Sequence, residues 1–160
     1  MPRADVEEST AVALYDDIER DLRQARLNGD QRALISLGLL KSEIVNASKE
    51  PGAKGVDDAA VIRVTRREVK KREEAAELYR SGGRAETADQ ELAEADILRR
   101  YLPAAISEED LDLELRAVIA EVGASGPQGF GQVMKAATAR IGDRAEGGRI
   151  ATAVRRLLNG

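Results

Sequence analysis

The chain predicts an all-α fold, on three observations. No stretch alternates apolar and polar residues at the period of two that marks a strand. Apolar residues return instead at three- and four-residue spacing, segment after segment. The hydrophobic fraction is 42% but the aromatic fraction only 2%. A core must therefore be built from Ala, Leu, Val and Ile, which suits packed helices.

The elements follow in order. Residues from about Ala11 to Leu27 form a first helix, with Leu14, Ile18, Leu22 and Ala25 on one face. Asn28-Gly29 stops it. Asp30 caps a second helix whose apolar set is Leu34, Ile35, Leu37, Leu40, Ile44 and Val45. Lys49 to Gly55 is a loop, since Pro51 lacks an N–H and two glycines loosen the chain. These two helices make an αα-hairpin. Asp57 or Asp58 caps a third helix running to about Tyr79. Its Val61, Val64, Val69 and Leu78 match one stripe only in part, which predicts a half-exposed helix. Ser81-Gly82-Gly83 ends it. A fourth helix starts near Thr87, which forms a capping box with Gln90. It carries Leu92, Ala95, Leu98, Tyr101 and Leu102, and Pro103 stops it.

The break at Leu102-Pro103 predicts a domain boundary, with an N-terminal helical domain of about four helices over 1–103 and a three-helix bundle over 104–160. Ser107 opens the fifth helix, with Leu111, Leu115, Val118, Ile119 and Val122 on one face. Gly123 to Gly129 is a loop. Helix six carries Phe130, Val133, Met134, Ala137 and Ile141, and helix seven Ile150, Val154, Leu157 and Leu158. Three short helices with one apolar stripe each can bury those stripes only against one another.

The residue inventory removes most catalytic chemistry. There is no cysteine and no histidine. Thiol nucleophiles, zinc–thiolate sites, the usual general base and the commonest metal ligand are thereby absent. The serines fall in no Gly-x-Ser-x-Gly elbow and no Ser-x-x-Lys motif. Glu73, Glu74 and Glu77 read as a solvated helix face. Gly123-Ala124-Ser125-Gly126 lacks the Gly-Lys-Ser/Thr ending of a phosphate loop. The expectation is a protein with no cofactor, no metal and no catalytic centre of its own. No run approaches the ~20 apolar residues of a membrane span, and the polar start (Arg3, Asp5, Glu7, Glu8) has no signal-peptide core. A cytoplasmic protein without a membrane partner is expected.

Charge then directs attention to two places. The net charge is -4, so any nucleic-acid contact must be local. On the third helix, Arg63, Arg66, Arg67, Lys70, Lys71 and Arg72 crowd together, and Arg63, Arg67, Lys70 and Lys71 share a face that could track phosphates. The simpler reading, and the favoured one, is an ordinary surface helix whose cations pair with Glu68, Glu73 and Glu74. The more informative stretch is Phe130-Gly131-Gln132-Val133-Met134-Lys135, followed by Ile141-Gly142-Asp143-Arg144. From Gly123 onward, Lys135, Arg140, Arg144, Arg149, Arg155 and Arg156 face only Asp143 and Glu146, whereas the preceding helix is rich in acids. The small domain is thus predicted to be dipolar. Gly131 would let a partner approach the backbone closely, and Phe130 reads as a core anchor. Lys135 and Arg144 read either as surface decoration or as phosphate contacts.

Several pieces in this order resemble the YqeY-like family. They are Asp21 to Arg26, Leu39-Leu40-Lys41-Ser42-Glu43-Ile44, Arg67-Glu68-Val69-Lys70-Lys71-Arg72, the helix ending in Tyr101-Leu102-Pro103, and Gly131-Gln132-Val133-Met134. The same GatB/YqeY domain forms the tail of the B subunit of the tRNA-dependent amidotransferase. The resemblance implies an N-terminal helical domain followed by a three-helix domain. It also implies association with carbon–nitrogen ligase chemistry using glutamine as amide donor, without the catalytic cradle. Carried over by position, Gly131, Lys135 and Arg144 are the candidates for tRNA contact, joined on charge by Arg149, Arg67, Lys70 and Lys71. The expected partner is tRNA or another structured RNA; the alternative is a protein partner, with the chain acting as an adaptor.

Overall fold

The structure, a computed structural model, describes residues 12–160. The predicted helix start at Ala11 and the polar N-terminal residues lie outside them. Among the described residues there are seven α-helices, two 3-10 turns and no strand. The helices are α1 (Ala13–Asn28), α2 (Gln31–Ser48), α3 (Asp58–Ser81), α4 (Ala85–Arg99), α5 (Glu108–Val122), α6 (Phe130–Ile141) and α7 (Gly147–Asn159). The chain divides into two compact units that meet at Leu102 and Pro103.

In the first unit, local chemistry sets most helix ends. Gly29 takes the left-handed conformation (φ 67) that glycine adopts without strain. Asp30 accepts a hydrogen bond from the Ala33 N–H at 3.1 Å, and Asp57 from the Ala60 N–H at 2.9 Å. The start of α1 is capped differently. Asp58, the first residue of α3, accepts the Leu14 N–H at 3.0 Å. The core gathers Ile18, Leu40, Ile44, Val61 and Leu98, each at most 1% exposed. Burying such a side chain contributes roughly 1.5–3 kcal/mol. Tyr101, just past α4, donates from its hydroxyl to Asp21 Oδ2 at 2.5 Å and ties the end of α4 to α1.

Four details differ from expectation. Ile35 is 57% exposed rather than part of the apolar face of α2. On α3 the valines are buried while Leu78 is 75% exposed, and the buried face continues instead through Glu68, Arg72 and Ala76. Thr87 caps nothing. The Arg84 N–H bonds back to the Tyr79 carbonyl at 2.8 Å, and the chain enters α4 directly at Ala85 without a side-chain cap. Arg72, grouped by sequence with surface cations, is only 8% exposed.

In the second unit, α5, α6 and α7 pack on one another around Leu111, Leu115, Val133, Ile141, Ile150 and Val154. The Ser107 hydroxyl accepts the Asp110 N–H at 3.1 Å to start α5. Gly142 makes the turn after α6 with φ 58, a region that L side chains rarely adopt. Phe130 packs against this core from its edge. No helix among the described residues is long and apolar enough to cross a membrane.

Candidate functional site

The acidic and basic parts of the second unit are not two separate poles. They lie across from each other and neutralise one another. Arg144 reaches Glu114 with both terminal nitrogens, at 2.7 Å each, while its Nε donates to the Ile141 carbonyl at 3.2 Å. Arg149 donates from Nε to Glu108 at 2.6 Å and from Nη2 to the Ile106 carbonyl at 2.7 Å. Arg156 meets Asp112 at 2.5 Å, and Arg140 meets Glu121 at 3.1 Å. Four acids of α5 are thus stapled to four arginines from the end of α6 onward. The predicted dipole is largely consumed inside the unit.

These pairs leave a mark on titration. The hydrogen bond from Arg156 holds the Asp112 carboxyl below its ordinary value, opposed by desolvation and helped by the Arg156 charge. The hydrogen bond from Arg144 does the same for Glu114. A carboxyl that titrates lower in the fold stabilises it fully above the ordinary values of 3.8 and 4.5 and loses that contribution as pH falls through the lower folded values. The second unit should therefore lose stability as pH falls through the carboxylate range. Glu114→Gln should flatten the dependence and added salt should weaken it. Amide signals of residues 108–158 followed through thermal melts at stepped pH measure this. A midpoint that stays constant across the range would contradict it.

What remains for a ligand is narrower. Lys135 is exposed and has no ion-pair partner among the described residues. Gly131 lies one turn before it on the same exposed face of α6. A Cβ added at Gly131 would meet nothing within 4 Å, and its backbone is ordinary helix, so neither packing nor turn geometry calls for glycine there. Arg155 lies 4.8 Å from the centre of the Phe130 ring, a cation–π contact. It too has no carboxylate partner among the described residues. Sequence reading counted its charge but did not select it. Its signal is the single Phe of the chain at the start of α6.

The α3 stripe belongs to the first unit and is mixed. Arg67 reaches Glu43 at 3.3 Å and Glu68 at 3.7 Å, and Lys71 reaches Glu68 at 3.5 Å. Lys70 and Arg63 are exposed and without an ion-pair partner among the described residues. They stand seven residues apart, two turns along one face. The structure thus leaves Gly131, Lys135, Lys70 and Arg63 open, adds Arg155, and engages Arg144, Arg149, Arg67 and Lys71 internally.

A family model described as Yqey-like protein matches residues 15–158, nearly the whole chain. No curated protein matches it.

Proposed function

The chain belongs to the YqeY-like family, and we propose that within it this protein is a cytoplasmic, non-catalytic helical module that docks tRNA or another structured RNA. The observation that carries the reading is Lys135: a cation with no internal partner, one turn from a glycine with no internal purpose. A phosphate can meet the Lys135 ammonium, and the bare backbone at Gly131 lets a sugar–phosphate chain come close. Arg155 on the Phe130 ring adds a second available cation to the same unit. Lys70 and Arg63 give the first unit its own pair. Residues 104–160 act here as a three-helix domain of their own. Resemblance to the amidotransferase tail supports a place beside glutamine-dependent carbon–nitrogen ligase chemistry whose active site another protein provides.

Titration with mixed tRNA at low and moderate salt tests this. Lys135→Glu should weaken binding evenly across tRNAs and reduce the salt slope by about 1. Adding Lys70→Glu should weaken it further. Absence of binding at low salt, or binding untouched by the pair, would sink the reading. Arg144→Glu is a poor probe, because it would set a second carboxylate against Glu114. Gly131→Ala separates the roles of the backbone: it should stabilise α6 by roughly 0.5–1 kcal/mol while weakening RNA docking. An alanine variant that is more stable and binds unchanged would remove Gly131 from the interface. A second reading, a protein adaptor, draws on the exposed Ile35, Leu39 and Leu78 of the first unit.

A further inference from the structure

The first unit holds a cleft of about 360 Å³ that RNA docking leaves unused. Four carboxylates line it, Glu43 from α2, Glu68 from α3, and Glu91 and Glu94 from α4, against two cations, Lys71 and Arg72. At its base, Arg72 donates from Nη1 to Glu68 Oε2 at 3.3 Å and to the Glu68 carbonyl at 3.1 Å. Arg72 and Glu68 are 8% and 5% exposed, yet Arg72 Nε and Glu68 Oε1 have no hydrogen bond. Nε has only Glu94 at 3.4 Å, and Oε1 only the looser reach of Lys71 and Arg67. Glu91 has no ion-pair partner among the described residues. Even counting Arg67, which reaches Glu43 and Glu68, the four carboxylates outnumber the cations, and Glu68 Oε1 is a buried acceptor without a hydrogen bond. The cleft therefore suits a guanidinium or ammonium group and repels phosphate.

The walls say what carries that group. Leu39 and Ala75 line the same cleft. Ile35 lies one turn before Leu39 on α2, and Leu78 one turn after Ala75 on α3. Arg67 meets Glu43, and Leu39, one turn before Glu43, shares the cleft with Lys71 and Ala75, which follow Arg67; α2 and α3 therefore run antiparallel there, and Ile35 and Leu78 continue the two walls beyond the cleft. Leu39, Ile35 and Leu78 are 53%, 57% and 75% exposed. An apolar seam ending in an acidic cleft is longer than a small cation requires. We propose that it docks an amphipathic helix of a partner protein, which places an arginine or lysine among the carboxylates and apolar side chains on Leu39, Ile35 and Leu78.

Two helical peptides with the same leucines, one bearing arginines and one glutamates on the polar edge, test the proposal by amide chemical-shift titration of the full chain. The arginine peptide should perturb residues 35–43, 68–78 and 91–94, and the glutamate peptide should not. Glu91→Gln with Glu94→Gln should weaken binding about fivefold, and Leu39→Ser with Leu78→Ser about tenfold or more. Leu113→Ser, at an exposed leucine of the other unit, should change nothing. Equal response to both peptides would overturn the proposal, as would shifts confined to the Arg63–Lys70 face. So would self-association that Leu39→Ser and Leu78→Ser abolish, which would make a second copy the occupant. The Glu91→Gln, Glu94→Gln variant should bind tRNA as the parent does, so failure here and failure of the RNA reading are separately visible.

Discussion

Arg72→Met should destabilise the first unit by about 3 kcal/mol, because it leaves the Glu68 carboxylate buried without its main partner. Glu68 is 5% exposed and Arg72 8%. The figure sits at the low end of the range for breaking a buried pair. Lys71 and Arg67 stand 3.5 and 3.7 Å from the other carboxylate oxygen and offset part of the loss. The double variant Arg72→Met, Glu68→Leu should return to within about 1 kcal/mol of the parent, since a buried pair exchanged for apolar groups of similar volume is close to neutral. Urea midpoints read at constant m value, for amides of residues 60–98, measure both. A single variant as stable as the parent would show that the pair is solvated. A double variant as weak as the single would show that packing, not charge, is at stake.

Raising the pH above 10 should destabilise the first unit, and Tyr101→Phe should remove the share of that sensitivity that this phenol carries. Burial raises the Tyr101 hydroxyl above its ordinary value of 10.0, and the hydrogen bond to Asp21 and the charge of that carboxylate raise it further. Below pH 10 the phenol is neutral in both states, and its contribution is fully present. Above pH 10 the unfolded chain ionises and the fold does not, so stability falls until the folded group ionises too. The slope is at most about 1.4 kcal/mol per pH unit, and less to the extent that water screens the pair. At neutral pH, Tyr101→Phe should itself cost about 1.5 kcal/mol, the scale of a hydrogen bond to a charged group. The difference between parent and variant isolates this phenol from the other tyrosines and the lysines. Parallel curves above pH 10 would refute the assignment.

Much of the fold was legible because its signals are local. Asp30, Asp57 and Ser107 bond N–H groups three residues on, and Gly29 and Gly142 take the conformations their neighbours demand. Thr87 misled because a cap competes with whatever precedes it, and the turn at Gly82-Gly83 delivers the chain into α4 before Thr87 is reached. The burial of Arg72 was half visible. Val61, Val64, Glu68, Arg72 and Ala76 recur at helical spacing along the buried face, but two charged residues in that series look like surface. The candidate site was less legible still. Lys135 and Arg144 look alike in the chain. One is open, and the other is clasped by Glu114, thirty residues earlier.

By itself, the sequence determined the helical class, most helix ends and the family, since these depend on residues within a few positions of one another and on their order. Tertiary structure alone decided which charges are spent and which are free. It set Arg140, Arg144, Arg149 and Arg156 against the acids of α5, Asp58 against the Leu14 N–H, and Tyr101 against Asp21 across 80 residues. Ion pairs and hydrogen bonds act over a few ångströms, and only the packing of one helix on another brings such distant positions that close.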